Sequence, residues 1–232
     1  MLNEILSHSS YFGFMLTCLT YMAGMWVKKK GKLAIFQPLL VASLLCIAIL
    51  SLTHVEYQSF NTGASKISYM LTPATVCLAV PLYKQLKLLK ENLVAVIGGI
   101  LAGVLANCLV IFALCVFFRL DHTYYVTYLP KSITTAIGMG VSEEAGGIVS
   151  LTVVCIVITG ILGNIIGEFI MKLAMVKEPI ARGLALGTAA HAIGTAKALE
   201  LGEIEGAMSS LSVAVAGLIT VVAVPIAAGL IP

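Results

Sequence analysis

The sequence predicts an all-α, polytopic inner-membrane protein with about 7–8 transmembrane elements, two or three of them interrupted or re-entrant. Three observations lead there. Apolar residues make up 59% of the 232 positions and charged residues 11%, with a mean hydropathy of +1.04, whereas a soluble domain carries roughly 25% charged residues. The apolar runs are continuous and helix-length, unlike the short alternating strands of a membrane β-barrel. Finally, the intramembrane polarity is concentrated in two segments, Leu129–Gly147 and Gly183–Leu201, which are too polar to face lipid. Residues 1–232 read as a single integral membrane domain, with N-terminal helices over 5–69 and repeat-like units carrying the broken polar segments over 70–232.

Taken in order, Ile5–Val27 is long enough to span, and Lys28, Lys29, Lys30 and Lys32 follow at once. That cluster places the first loop in the cytoplasm and the N-terminus outside. His8, Ser9 and Ser10 read as interfacial, and MLNEILSHSS lacks the positive n-region of a signal peptide, so the first helix is expected to be retained. Pro38–Thr53 returns the chain to the outside, and the polar run His54–Lys66, with its Asn-Thr-Gly, reads as an external loop. Met70–Leu86 carries Pro73 and Pro81 inside a helical pattern, which predicts a kink or a break. Lys84, Lys87 and Lys90 form a second cytoplasmic cluster. Asn92–Phe118 is a clean span with Gly98, Gly99, Gly103 and Asn107. Ile148–Met171 is another, with Gly160, Gly163, Asn164 and Gly167, and Ala207–Leu230 is the last.

The basic residues Lys172, Lys177 and Arg182 raise a conflict. If every segment crosses, they fall outside, against the positive-inside rule; if Leu129–Gly147 dips in and returns, they fall inside. A re-entrant course for at least one polar segment is therefore expected. A shift of 57 residues aligns Pro73 with Pro130, Gly103 with Gly160 and Asn107 with Asn164. A shift of 56 aligns Ala136-Ile137-Gly138 with Ala192-Ile193-Gly194 and Glu144 with Glu200. An internal repeat and a coincidence of Gly/Ala composition are both open readings of so few matches. A true repeat is what transporters with paired discontinuous helices display.

The candidate site follows from these breaks. A helix start inside a membrane offers unpaired N–H groups and partial positive charge, hence an anion site. Pro130, followed by Lys131, Ser132, Thr134 and Thr135, reads as one half-helix start, and Gly187-Thr188 as the other. Thr188, His191 and Thr195 at i, i+3, i+7 would share one helical face. Gly183, Gly187 and His191 at i+4 steps allow another backbone to come close. The substrate-binding candidates are thus Lys131, Ser132, Thr134, Thr135, Gly187, Thr188, His191 and Thr195, with a small carboxylate as ligand. Glu143, Glu144 and His191 are candidates for proton coupling. Against this stand blander roles: threonines bonding their own backbone, His191 as a packed residue, and Glu143 and Glu144 as a solvated helix end. Asn107 and Asn164 read as interhelical hydrogen-bonding residues rather than ligands.

The six cysteines all lie in apolar runs without metal-ligand spacing, so no metal or cofactor is expected. No GxSxG, HExxH, P-loop or dinucleotide fingerprint is present, which argues against an enzyme. The net charge of +3 sits in topology-type clusters, so membrane lipid rather than nucleic acid is the expected neighbour.

Three phrases, TPATVCLAVPLYK (72–84), LPKSITTAIGMGVSEEAGGI (129–148) and PIARGLALGTAAHAIGTAKALELGEIEGAMSSL (179–211), together resemble the LrgB/CidB family of bacterial membrane proteins. The resemblance covers roughly residues 10–230 and is carried by those phrases more than by the N-terminal sixty residues. It implies a multi-span inner-membrane protein working with a small holin-like LrgA/CidA partner. For that family it further implies either transport of small carboxylates such as pyruvate, glycolate and glycerate, or antiholin-like control of murein hydrolase export and autolysis. From the former, a carrier of the pyruvate, glycolate or lactate type is expected here. Gly-rich spans pack within one chain as readily as between copies, so a homo-oligomer is left open.

Overall fold

The computed structural model describes residues 11–31, 36–70, 73, 77, 79–84 and 86–231, and every regular element among them is an α-helix. The expected interfacial residues His8, Ser9 and Ser10, the fourth lysine of the first cluster (Lys32) and most of the chain around Pro73 lie outside the described residues. The chain divides into two compact units, Met1–Cys77 and Leu78–Pro232.

The first unit holds α1 (Phe12–Gly31), α2 (Pro38–Thr53) and α3 (Tyr57–Ser68). Helix α1 ends in Lys28, Lys29 and Lys30, which suit the negative end of its dipole. Helix α2 starts on Pro38, where a missing N–H costs nothing, and the Gln37 side chain accepts from the Leu40 N–H at 2.7 Å. The polar run expected as a loop is instead helix α3. Gly13 and Gly63 permit this by bringing α1 and α3 into backbone contact: a Cβ on Gly63 would lie 2.7 Å from Gly13 N, and one on Gly13 would lie 2.7 Å from Ala64 N.

The second unit holds α4 (Ala79–Lys84), α5 (Leu86–Glu91), α6 (Leu93–Phe118), α7 (His122–Tyr128), α8 (Thr135–Glu144), α9 (Val149–Leu173), α10 (Pro179–Leu201) and α11 (Glu203–Ala228). Among the described residues, α6, α9 and α11 are long and apolar enough to cross a membrane, with hydropathies of 2.7, 2.4 and 2.4.

The polar segments fold between these spans as hairpins. In the first, α7 starts beside the end of α11: His122 Nδ1 donates to the Ile231 carbonyl at 2.6 Å and the Tyr125 hydroxyl to that of Ala227 at 3.1 Å. The chain reaches the middle of α6 at Leu129, turns through Pro130–Thr134, and returns along the start of α9. There the Ser142 and Thr152 hydroxyls lie 2.6 Å apart, and Thr152 donates to the Thr127 carbonyl at 3.0 Å.

In the second, α10 breaks at Ala190 (φ −128°, ψ 16°) and His191 (φ 42°, ψ −139°). Its two halves lie side by side, with Gly194 against the Leu186 carbonyl and Leu186 clustered with Ala198 and Met171. The break falls a few residues beyond the expected Gly187-Thr188 start. It also overturns the expected shared face, because Thr188 precedes the break, His191 forms it and Thr195 follows it.

Glycines fix how tightly this second hairpin packs. A Cβ on Gly183 or Gly187 would strike the carbonyls of Glu205 and Ser209 on α11, and one on Gly163 of α9 would strike Ala190. The expected close approach at Gly183 and Gly187 is thus present, and it is made onto α11. The core around it joins Val96, Ile100 and Val104 of α6 to Leu184, Met208 and Ala216. A second core joins Ile111 and Cys115 to Tyr125, Leu129 and Val224.

Candidate functional site

A cavity of about 1010 Å³ lies between α6, α9 and the first half of α10. One end is marked by Asn92, Met171 and Glu178, which sit at the start of α6, the end of α9 and the start of α10. At the other end Asn107, Lys131, Ser132 and Thr188 come together. Aliphatic and glycine positions such as Gly99, Leu162, Ile166 and Leu184 line the length between them.

This second end is polar in an ordered way. Lys131 Nζ donates to Ser132 Oγ at 3.2 Å, Ser132 Oγ donates to Asn107 Oδ1 at 3.2 Å, and Asn107 Nδ2 donates to the Leu129 carbonyl at 2.9 Å. Among the described residues no carboxylate pairs with the Lys131 ammonium, although Lys172, Arg182 and Lys197 all have acidic partners. Thr188 is 8% exposed and its Oγ1 finds no hydrogen-bond partner among the described residues. Native interiors rarely leave a hydroxyl so, and an orphan of this kind calls for an explanation. A second, water-sized space of about 10 Å³ is bordered by Asn107, Ser132, Thr188 and Thr220, so the tips of the two hairpins meet there.

The other sequence candidates sit elsewhere. Thr134 precedes α8 as its N-cap without a side-chain capping bond, and Thr135 opens that helix; neither lines the cavity. His191 is 3% exposed and donates Nε2 to the Ile156 carbonyl at 3.0 Å. Thr195 donates to the His191 carbonyl at 3.1 Å, and its hydroxyl lies 2.9 Å from that of Ser209. Gly187 packs on α11. Glu143 and Glu144 are exposed at the end of α8.

Sequence reasoning did not place Asn107 at the cavity, nor the aliphatic wall of α9. Asn107 stood out only through its match with Asn164, and a wall residue looks like any other apolar residue of a span. Asn164 Nδ2 donates to the Ile193 carbonyl at 3.0 Å, so both asparagines make the expected interhelical bonds.

Comparison with known proteins agrees across nearly the whole chain. The model of the LrgB-like family matches residues 17–230. The chain is 38% identical over 216 residues to the antiholin-like protein LrgB of Bacillus cereus (strain B4264), covering 93% of this chain and 94% of that protein. It matches the antiholin-like protein LrgB of Bacillus anthracis (strain CDC 684) with the same identity and coverage. No solved structure matches the chain. With its apolar helices, polar hairpins and end-to-end similarity, the chain belongs to the LrgB-like family of membrane proteins.

Proposed function

We propose that this protein is a carrier for small monocarboxylates of the pyruvate, glycolate or lactate type, bound where the two hairpin tips meet. The observation that carries the reading is the Lys131 ammonium, without a carboxylate partner among the described residues, and the Thr188 hydroxyl, without a hydrogen-bond partner among them, lining one largely apolar cavity. A cation without a counter-charge in such surroundings is costly, and a carboxylate supplies the charge. One carboxylate oxygen takes Lys131, and the other accepts from Thr188, within reach of Ser132.

The arrangement of the second unit supports transport over a purely structural role. In this reading α6, α9 and α11 cross the bacterial cell membrane, α7–α8 re-enters from one face and α10 from the other. Lys84, Lys87, Lys90, Lys172, Lys177 and Arg182 then share the cytoplasmic face, and the conflict raised by full crossing disappears. The units α6 to α8 and α9 to α10 become inverted-topology repeats, the layout in which substrate sits near the midplane between discontinuous helices. The shift of 57 residues that pairs Asn107 with Asn164 also pairs Lys131 with Thr188. One end of the cavity lies at the face where α10 starts, the cytoplasmic one in this topology, and alternating access exchanges the roles of the two hairpins. Glu143 and Glu144, exposed at the end of α8, are the proton-coupling candidates of this reading.

A second reading has a specific support, the name antiholin-like borne by the relatives. Under it the chain regulates murein hydrolase release and autolysis through a small LrgA-like membrane partner, without transport of its own. Uptake of labelled pyruvate, glycolate and lactate into proteoliposomes separates the two, with the protein alone and with that partner. Saturable uptake that Lys131→Gln removes, the variant remaining folded, supports the carrier. No uptake by folded protein under any condition sinks it and leaves the regulator.

A further inference from the structure

We infer that Thr159 of α9 recognises the oxygen on the second carbon of the substrate, and so favours 2-hydroxy and 2-oxo acids over unsubstituted acids of the same chain length. The inference rests on the carrier reading for the anchor at Lys131 and Thr188, and it adds the wall of the site that faces them.

Helix α9 lines the cavity with one face, and among the described residues Thr159 is the polar member of that face. It is also the α9 lining residue farthest from Met171, since twelve residues of helix set the two about 18 Å apart. Its neighbours on α9 fix its level. One turn before it, Cys155 interacts electrostatically with Lys131. Just after it, Gly160 packs against His191 and Gly163 against Ala190, the two residues of the α10 break. Thr159 therefore stands between the level of the cation and that of the broken tip, with Thr188 two residues before the break.

Its hydroxyl is available. Thr152 and Thr195 donate to the carbonyls of Ile148 and His191 one turn back, the ordinary use of a helical threonine. Thr159 makes no such bond among the described residues, and its half-buried side chain borders the cavity. With the carboxylate oxygens on Lys131 and Thr188, the next polar atom of pyruvate, glycolate or lactate is the oxygen on the second carbon. A threonine hydroxyl donates to an oxo group, and it donates to or accepts from a hydroxyl, so one residue serves all three acids. An acid with plain hydrocarbon at that carbon leaves Thr159 to water. The cavity is wide enough to hold that water, so the cost is the net worth of one hydrogen bond, about three- to tenfold in affinity. It is not the roughly ten-thousandfold rejection of a sealed polar site.

The test measures binding by titration calorimetry on the purified full-length protein in nanodiscs, with glycolate against acetate and lactate against propionate. Pyruvate uptake is followed separately in proteoliposomes. Each hydroxy acid should bind about three- to tenfold more tightly than its unsubstituted partner. Thr159→Val, close in shape, should bring glycolate and lactate to within about twofold of acetate and propionate, and Thr159→Ser should keep the gap. Lys131→Gln should instead weaken all four acids by about tenfold or more.

Equal binding within each pair, or a gap that survives Thr159→Val, overturns the inference even if pyruvate is taken up. Equal weakening of both members of a pair by Thr159→Val overturns it too, because the hydroxyl would then serve the carboxylate or the fold. A gap that depends on Thr159 without pyruvate uptake leaves the recognition standing and removes the carrier reading instead. Folded protein that binds none of the four acids overturns both.

Discussion

Asn107 and Asn164 reach the two hairpins in parallel fashion: each donates its Nδ2 from the middle of a long apolar helix to a main-chain carbonyl near a tip, Leu129 at 2.9 Å and Ile193 at 3.0 Å. Leu129 closes α7, and its carbonyl has no helical N–H to accept from and no water to turn to in a membrane, so it takes its donor from Asn107. Ile193 lies in the first turn of the second half of α10, and Asn164 adds a bond across to it from α9. Asn107 also accepts from Ser132 and lines the cavity, whereas Asn164 does not.

That difference separates the two asparagines in function. Replacing Asn107 by alanine leaves the Leu129 carbonyl unpaired and lowers stability by about 1–3 kcal/mol. Asn164→Ala removes a bond to a carbonyl that lies within its own helix and should cost about 0.5–1.5 kcal/mol. Asn107→Ala should in addition raise the KM for carboxylate uptake, because it frees Ser132, while Asn164→Ala should leave KM near its original value. Thermal unfolding together with uptake kinetics reads both effects.

Thr188 should behave in the opposite sense. Its Oγ1 has no partner to lose, so Thr188→Val removes a buried unsatisfied hydroxyl and leaves stability unchanged or raised by about 1 kcal/mol. Uptake, however, should weaken about tenfold in KM as the carboxylate loses one donor. Loss of stability on this substitution would mean that the hydroxyl serves the fold.

His191 holds a left-handed backbone, φ 42°, without being glycine, a conformation that costs on the order of 1–3 kcal/mol. Both His191→Gly and His191→Ala delete the hydrogen bond to Ile156, but only glycine relieves the backbone. The glycine variant should therefore unfold at the higher temperature of the two, by about 1 kcal/mol of stability. The reverse order would show that the break is set by its packing and not by its dihedral angles.

Small residues at the α10–α11 contact can be tested against a control in the same protein. Gly187→Ala drives a methyl into Ser209 and should cost about 1–3 kcal/mol. At Gly98 a Cβ meets nothing within 4 Å, so Gly98→Ala should be neutral or should stabilise by up to about 1 kcal/mol. Thermal unfolding of the two variants side by side checks the contrast.

The long helices are legible in the sequence because hydropathy and length alone decide them. Helices α6 and α9 run within a residue or two of the expected spans, and α11 starts a turn earlier, at Glu203. The polarity of Leu129–Gly147 and Gly183–Leu201 also announces broken elements. The place of the second break is not legible. Glycine and threonine chemistry points to Gly187-Thr188, yet Gly187 serves close packing and the turn falls on His191, a residue with no local preference for it. Helix α3 reads as a loop because its polar, Gly-containing sequence carries a turn signal, and the contact that stabilises it is made with α1, far away in the chain. At the site, Lys131, Ser132 and Thr188 are within reach of sequence reasoning. Asn107 and the aliphatic wall are not, since only the fold shows which face of a span looks inward.

The packing of α10 onto α11 has a consequence for how the protein is made. Gly183, Gly187 and Thr195 find their partners on Glu205, Ser209 and their neighbours, all of which leave the ribosome later. A nascent chain that has produced α10 but not α11 can pack this hairpin on α9 and α6 but leaves the face that carries Gly183, Gly187 and Thr195 uncovered. That face is completed only once synthesis has passed Ser212, so the last helix made closes the packing of a hairpin made before it.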